Sequence, residues 1–278
     1  MLWWLAGVLA LFALCGGVVL LLSIKLRSGP IKPLLDVPAV AQRYIVIVGS
    51  LSGFSVASAT FLAGFIERSG AASFATVIGM FLIAFLTFVG TSMIYGTLPA
   101  APAGEKPSDA FLGWQRSIYV MANCGYFIGL SLSWFALRPF LQAIKLDFLA
   151  DIFTWLLLIA GFAGAGRISL HLHTLTLQNL HACFSMPLIG YGGAAAYRFL
   201  LAPAFPVLWP GANAPLLFAV IGFLLTGAVF LLDTVMLVLG PDHRVARRLT
   251  HPGSRWLLVY SQTVIVSSGL LWASVVAP

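Results

Sequence analysis

The residues best equipped for chemistry sit in one stretch, Arg167–His181 (RISLHLHTLTLQNLH), which holds three of the chain's five histidines. Read as a helix at about 100° per residue, Arg167, His171, Thr174, Gln178 and His181 fall on one side. Ser169, His173 and Thr176 lie opposite, so the stripe is not cleanly amphipathic. Hydroxyls bond back to their own helix, but imidazoles need water or an acceptor. The stripe therefore reads either as the polar lining of a cytoplasmic vestibule or as a helix end that is wet on one side.

A second feature is a lone acid, Asp233, in the apolar run FLLDTVML. A carboxylate inside a membrane costs about 2–3 kcal/mol on insertion scales, so it is expected to face the protein interior and to have a partner. Thr226 and Gly222 precede it by seven and eleven residues, on the same helical face. As a functional group Asp233 is a proton or cation site reached through Arg167, His171, Gln178 and His181. As a structural group it pairs with Arg167 or a nearby histidine. Asp151 and Arg198 are expected to form a structural ion pair toward the other side of the membrane, and Asn123 and Gln262 to bond across helices.

Other chemistries find no support. The two glutamates, Glu67 and Glu105, are not part of an HExxH motif, which a membrane metalloprotease needs. The cysteines Cys15, Cys124 and Cys183 are scattered, with neither a CxxC pair nor a Cys/His cluster, so no metal site is expected. The sequence around Gly190–Gly193 has no strand before it and is not a nucleotide fingerprint. Haem requires axial histidines from facing helices. His171 and His173 are two residues apart and cannot share such a pocket, leaving only His181 with His171 or His243. No cofactor is expected.

These groups must be positioned by membrane helices. The chain is 60% hydrophobic and only 8% charged, where a soluble domain carries about a quarter charged residues. Apolar runs near 3–24, 44–66, 74–98, 117–137, 148–170, 182–203, 215–239 and 256–276 predict eight spans. The first lacks a basic leader and is too long for a signal-peptide core, so it is read as a retained span. Of the basic residues in loops and flanks, eleven follow odd-numbered spans, and three (Arg68, Arg138 and Lys145) follow even-numbered ones. That asymmetry puts the odd-numbered loops in the cytoplasm and both termini outside. The formal charge of +7 then reports contact with anionic lipids, above all at Arg244, Arg247 and Arg248, and not binding of nucleic acid.

The expected fold is an all-α, polytopic membrane helix bundle forming one integral domain over 1–278. Matches such as Val77-Ile78-Gly79 with Val220-Ile221-Gly222 suggest two parallel four-helix halves, 1–140 and 145–278. Small-residue faces at Gly49/Gly53/Ala57, at Gly161/Gly164/Ala165 and at Gly190–Ala196 are expected to bring helices together, within the chain or at an oligomer seam. The first functional expectation is a secondary transporter or channel for a small solute or ion in a bacterial inner membrane, and not an enzyme. The alternatives are a non-catalytic subunit or scaffold of a larger membrane complex, and a redox protein binding haem or quinone.

Overall fold

Long runs of Leu, Val, Phe and Ala without interior proline favour helix, and in hydrocarbon a helix also satisfies its own backbone hydrogen bonds. The computed structural model describes residues 2–30, 37–69, 75–98, 107–150, 152, 180 and 214–250, and among these the regular structure is helical, with no strand. The described helices are α1 (Leu2–Leu26), α2 (Val37–Ser69), α3 (Ala75–Gly96), α4 (Asp109–Ala143), α5 (Ala214–Leu239) and the short α6 (Arg244–Thr250). Four contain stretches long and apolar enough to cross a membrane: Val37–Phe65, Val77–Gly96, Asp109–Arg138 and Val220–Leu239. They correspond to expected spans two, three, four and seven. α1 covers expected span one, whereas most of span five and all of spans six and eight lie outside the described residues.

α2 and α4 run to 33 and 35 residues, well past the expected spans. At 1.5 Å per residue each is about 50 Å long against a hydrocarbon core of about 30 Å. Hydropathy registers only the lipid-embedded part. The ends are set by local chemistry instead. Ser108 caps α4 by accepting a hydrogen bond from the Phe111 N–H at 3.2 Å. α5 stops at Gly240, whose φ of 67° is the left-handed conformation a C-terminal cap requires, with its N–H donating to the Met236 carbonyl at 3.2 Å.

α4 is the central helix. Of its apolar window 72% is buried inside the protein, against 22% for α2. It packs against α2, α3, α5 and α6. The pairings Tyr95–Tyr119, Thr91–Gly125 and Phe88–Gly129 make α3 antiparallel to α4. Leu132–Gly222, Gly125–Val229 and Trp114–Met236 make α5 antiparallel to α4 as well. α3 and α5 therefore run parallel, and the chain leaves α4 and enters α5 at the same end of the bundle. Any crossings made between Ala143 and Ala214 must come in even number, as two expected spans there would. Outside this core the helices present large apolar side chains, among them Phe61, Met93, Leu231 and Val238, each at least 65% exposed. That is a surface for lipid.

Packing depends on glycines other than the expected ones. Gly49, Gly53 and Ala57 of α2 lie on the exposed side. A Cβ built on either of these glycines meets nothing within 4 Å, so this face brings no helices together among the described residues. Of the two expectations for span two, packing within the chain finds no partner among the described residues. Val48, Leu51, Ala59 and Leu62 of α2 pack into the core instead. The faces proposed at 161–165 and 190–196 lie outside the described residues. Close approach occurs at Gly125 and Gly129 of α4, at Gly90 of α3 and at Gly222 of α5. The Phe88 ring stands 2.7 Å from where a Gly129 Cβ would be, and Leu132 stands 2.7 Å from that of Gly222. Phe88 is fully buried and has no room to yield. Gly129→Ala is therefore expected to destabilise the protein in detergent by about 1–3 kcal/mol. Gly53→Ala should stay within about 0.5 kcal/mol. Unfolding titrations of the two variants test the contrast.

Candidate functional site

On α5 the residues Gly222, Thr226, Val229, Asp233 and Met236 recur at alternating intervals of four and three and are all buried. The same spacing on α3 buries Met80, Ala84, Thr87, Thr91 and Ile94. Two such stripes interlock at a shallow angle. This geometry turns Asp233 inward, leaving it 6% exposed, while its neighbour Leu231 is 67% exposed. The expectation that Asp233 faces the protein interior is met.

Thr226 holds the two stripes together. Its hydroxyl lies 2.9 Å from that of Thr87 on α3. Each threonine is also placed to donate to its own helix, Thr87 to the Ile83 carbonyl at 2.7 Å and Thr226 to the Gly222 carbonyl at 2.8 Å. Two hydroxyl hydrogens thus serve three contacts, and only two can be made at a time.

Seven residues beyond Thr226, about 10 Å along the axis, lies Asp233. Its Oδ1 is buried and has no hydrogen-bond partner among the described residues. Two other buried oxygens share that condition, Thr91 Oγ1 and Tyr95 OH, both on α3. Thr91 is the exception among neighbouring threonines. Thr60, Thr87, Thr226 and Thr234 all donate to the carbonyl four residues back. The Thr91 hydroxyl instead points at the bare backbone of Gly125. Buried polar atoms in folded proteins nearly always have partners, so this row is the most unusual polar feature of the described bundle.

Around the same end lie features that the sequence reading missed. The Trp114 indole N–H donates to the Met236 carbonyl at 2.8 Å, joining α4 to the free end of α5 one turn past Asp233. Tyr44 of α2 stacks on Tyr95 of α3 with centroids 5.5 Å apart, and meets Tyr119 and Tyr126 of α4 edge-on. The GYFIG spacing of Gly125 and Gly129 was the available sequence signal for the α3–α4 contact. Asn123 was expected to bond across helices, but its amide donates at 2.8 Å to the Tyr119 carbonyl of its own helix. In helix geometry that carbonyl, four residues back, is the nearest acceptor to such a side chain.

Of the other expected site residues, Arg167, His171, Gln178 and His181, and the pair Asp151 and Arg198, lie outside the described residues. Among the described residues no cation pairs with Asp233, and no His/Cys/Asp/Glu group could hold a metal. Arg247 is paired with Asp242 at 2.9 Å, an exposed contact of little energetic consequence. Arg244 and Arg248 are exposed.

The Thr87–Thr226 contact is the quantity to measure here. A double-mutant cycle with Thr87→Val and Thr226→Val is expected to give a coupling of about 0.6 kcal/mol, and no more than about 1.7 kcal/mol. A coupling of zero by thermal unfolding in detergent would mean that the hydroxyls contribute nothing jointly.

Comparison of the chain with protein-family models, with curated proteins and with solved structures gives no match.

Proposed function

We propose that this chain is a secondary transporter or channel for a small solute or ion, a multi-pass protein of a bacterial inner membrane with both termini outside. Asp233 is its proton- or cation-responsive group, with Thr226 on the same face. Arg167, His171, Gln178 and His181 form the cytoplasmic lining, and Asp151 with Arg198 closes the opposite side. One observation carries the reading: an acid inside a membrane helix turns into the bundle, and its buried oxygen has no partner among the described residues. Intramembrane acids that are retained despite their insertion cost typically serve ion or substrate pathways. The parallel run of α3 and α5 supports two parallel four-helix halves, since spans three and seven would be equivalent. It also supports an even number of crossings between α4 and α5, as an eight-span chain requires.

The test is flux. The protein is reconstituted into liposomes holding a pH-sensitive dye, and a proton gradient is imposed. Sugars, amino acids, organic acids and monovalent cations are then added in turn. A solute-dependent proton flux is expected for the wild type. Asp233→Asn should lose it while remaining monodisperse in detergent. A variant that carries the wild-type flux would overturn the assignment.

A second reading, a non-catalytic subunit of a larger membrane complex or a homo-oligomer, is favoured by one specific observation. Gly49, Gly53 and Ala57 form an exposed small-residue face that nothing in the described chain covers. Such faces let another helix approach closely in lipid. Gly53→Leu is then expected to lower the assembly mass measured in detergent by light scattering, whereas an unchanged mass would remove this reading.

A further inference from the structure

We infer that the ion handled at Asp233 is a proton, passed along a buried row of hydroxyls beside the middle of α4; this rests on the transport reading above. The row begins at the far end, where Ser55 of α2 lies 3.2 Å from Ser133 of α4. Then come the Thr87–Thr226 pair, beside the Gly129 level, and Thr91, which points at Gly125. Val229 also approaches Gly125, so Asp233, one turn further along α5, lies about 6 Å beyond Thr91 in height. All six side chains are at least nine-tenths buried.

Three considerations favour a proton over a metal cation. A dehydrated cation needs several oxygens around one point. These oxygens are instead strung along about 20 Å of helix, roughly one per turn. Each is a hydroxyl, both donor and acceptor, which a proton relay requires and a cation cage does not. Helical hydroxyls that bond only to their own carbonyls would form no path. Here, however, the Thr87–Thr226 pair has two hydrogens for three contacts, and Thr91 has no acceptor of its own among the described residues. The hydrogens of this row are free to change direction at the two positions next to the acid.

In the relay a hydronium that reaches Ser55 and Ser133 returns to water as its proton joins the first hydroxyl oxygen. Each hydroxyl releases one proton as it gains one, and the last proton forms an O–H bond at Asp233 Oδ1. One positive charge moves inward and the carboxylate is neutralised. Gaps of one turn are about 6 Å in height, so each step between levels needs at least one bridging water. The ionisable side chains that neighbouring elements bring to this end are Tyr44 on α2, Tyr95 on α3, Arg116, Tyr119 and Cys124 on α4, Asp242 and His243 in the turn after α5, and Arg244, Arg247 and Arg248 on α6. None of them forms an ion pair or hydrogen bond with Asp233 Oδ1.

Infrared spectroscopy of the full-length protein in liposomes tests this without knowledge of the solute. The wild type is expected to show a carboxyl band that grows as pH falls and exchanges in D2O, and Asp233→Asn should lack it. Thr91→Val should slow that exchange about tenfold, the factor set by a barrier rise of about 1.4 kcal/mol. Thr91→Ser should restore it. The valine variant is expected to fold at least as well as the wild type, because the hydroxyl it removes has no partner among the described residues. Exchange at the wild-type rate in Thr91→Val overturns the inference, as does a spectrum in which Asp233→Asn removes no carboxyl band at any pH. So does a shift of the wild-type carboxylate band on adding sodium at fixed pH that is missing in Asp233→Asn. Each of these leaves the transport reading standing, and that reading falls only if Asp233→Asn retains solute-dependent flux.

Discussion

Helices in hydrocarbon gain little from hiding apolar surface, because lipid tails are as apolar as leucine, so α3, α4 and α5 are held by how closely their surfaces interlock. Glycines make that closeness attainable. Phe88 lies over Gly129, Leu132 over Gly222, Phe230 over Gly90, and the Thr91 hydroxyl over Gly125. In each case a side chain of one helix occupies the place where its neighbour would carry a Cβ. The interlock fixes the rotation of α5, and the rotation of α5 decides that Asp233 faces protein and not lipid. The position of the acid is thus a consequence of packing several residues away from it.

A few hydrogen bonds add direction to this contact. The Trp114 indole reaches the Met236 carbonyl, which also accepts the Gly240 N–H at the end of α5. Thr87 with Thr226 and Ser55 with Ser133 join helices at other depths. Each is individually small. Their value lies in register, since a slide of α5 by one turn would break the first two together and would place Phe230 against a residue with a side chain in place of Gly90.

Much of this architecture was legible in the sequence, and the parts that were not share a cause. Length and hydropathy located the helices, because burying a helical backbone in lipid needs about twenty apolar residues whatever the fold. The inward turn of Asp233 followed from the insertion cost of a carboxylate. Helix ends were misjudged for α2 and α4, since nothing apolar marks where a helix stops once it has left the hydrocarbon. Partners were harder still. Thr226 was singled out, but Thr87 was not, because a threonine on another helix carries no signal of its orientation. The Gly49/Gly53 spacing looked the same as that of Gly125/Gly129, yet among the described residues only the second pair receives a neighbour. Spacing within one helix says that an approach is allowed, and only the other helices decide whether it happens.

The shared end at which α4 departs and α5 arrives has a bearing on how such a chain could change over time. Whatever lies between them leaves from one face of the membrane and returns to it. Helical hairpins, being pairs of crossings, can be gained or lost there without turning α5 upside down. A single added helix could not, as it would reverse α5 and carry Asp233 to the opposite leaflet. The α2–α5 unit is in this sense a frame that accepts cargo in pairs, and duplication is one of the ways such pairs arise.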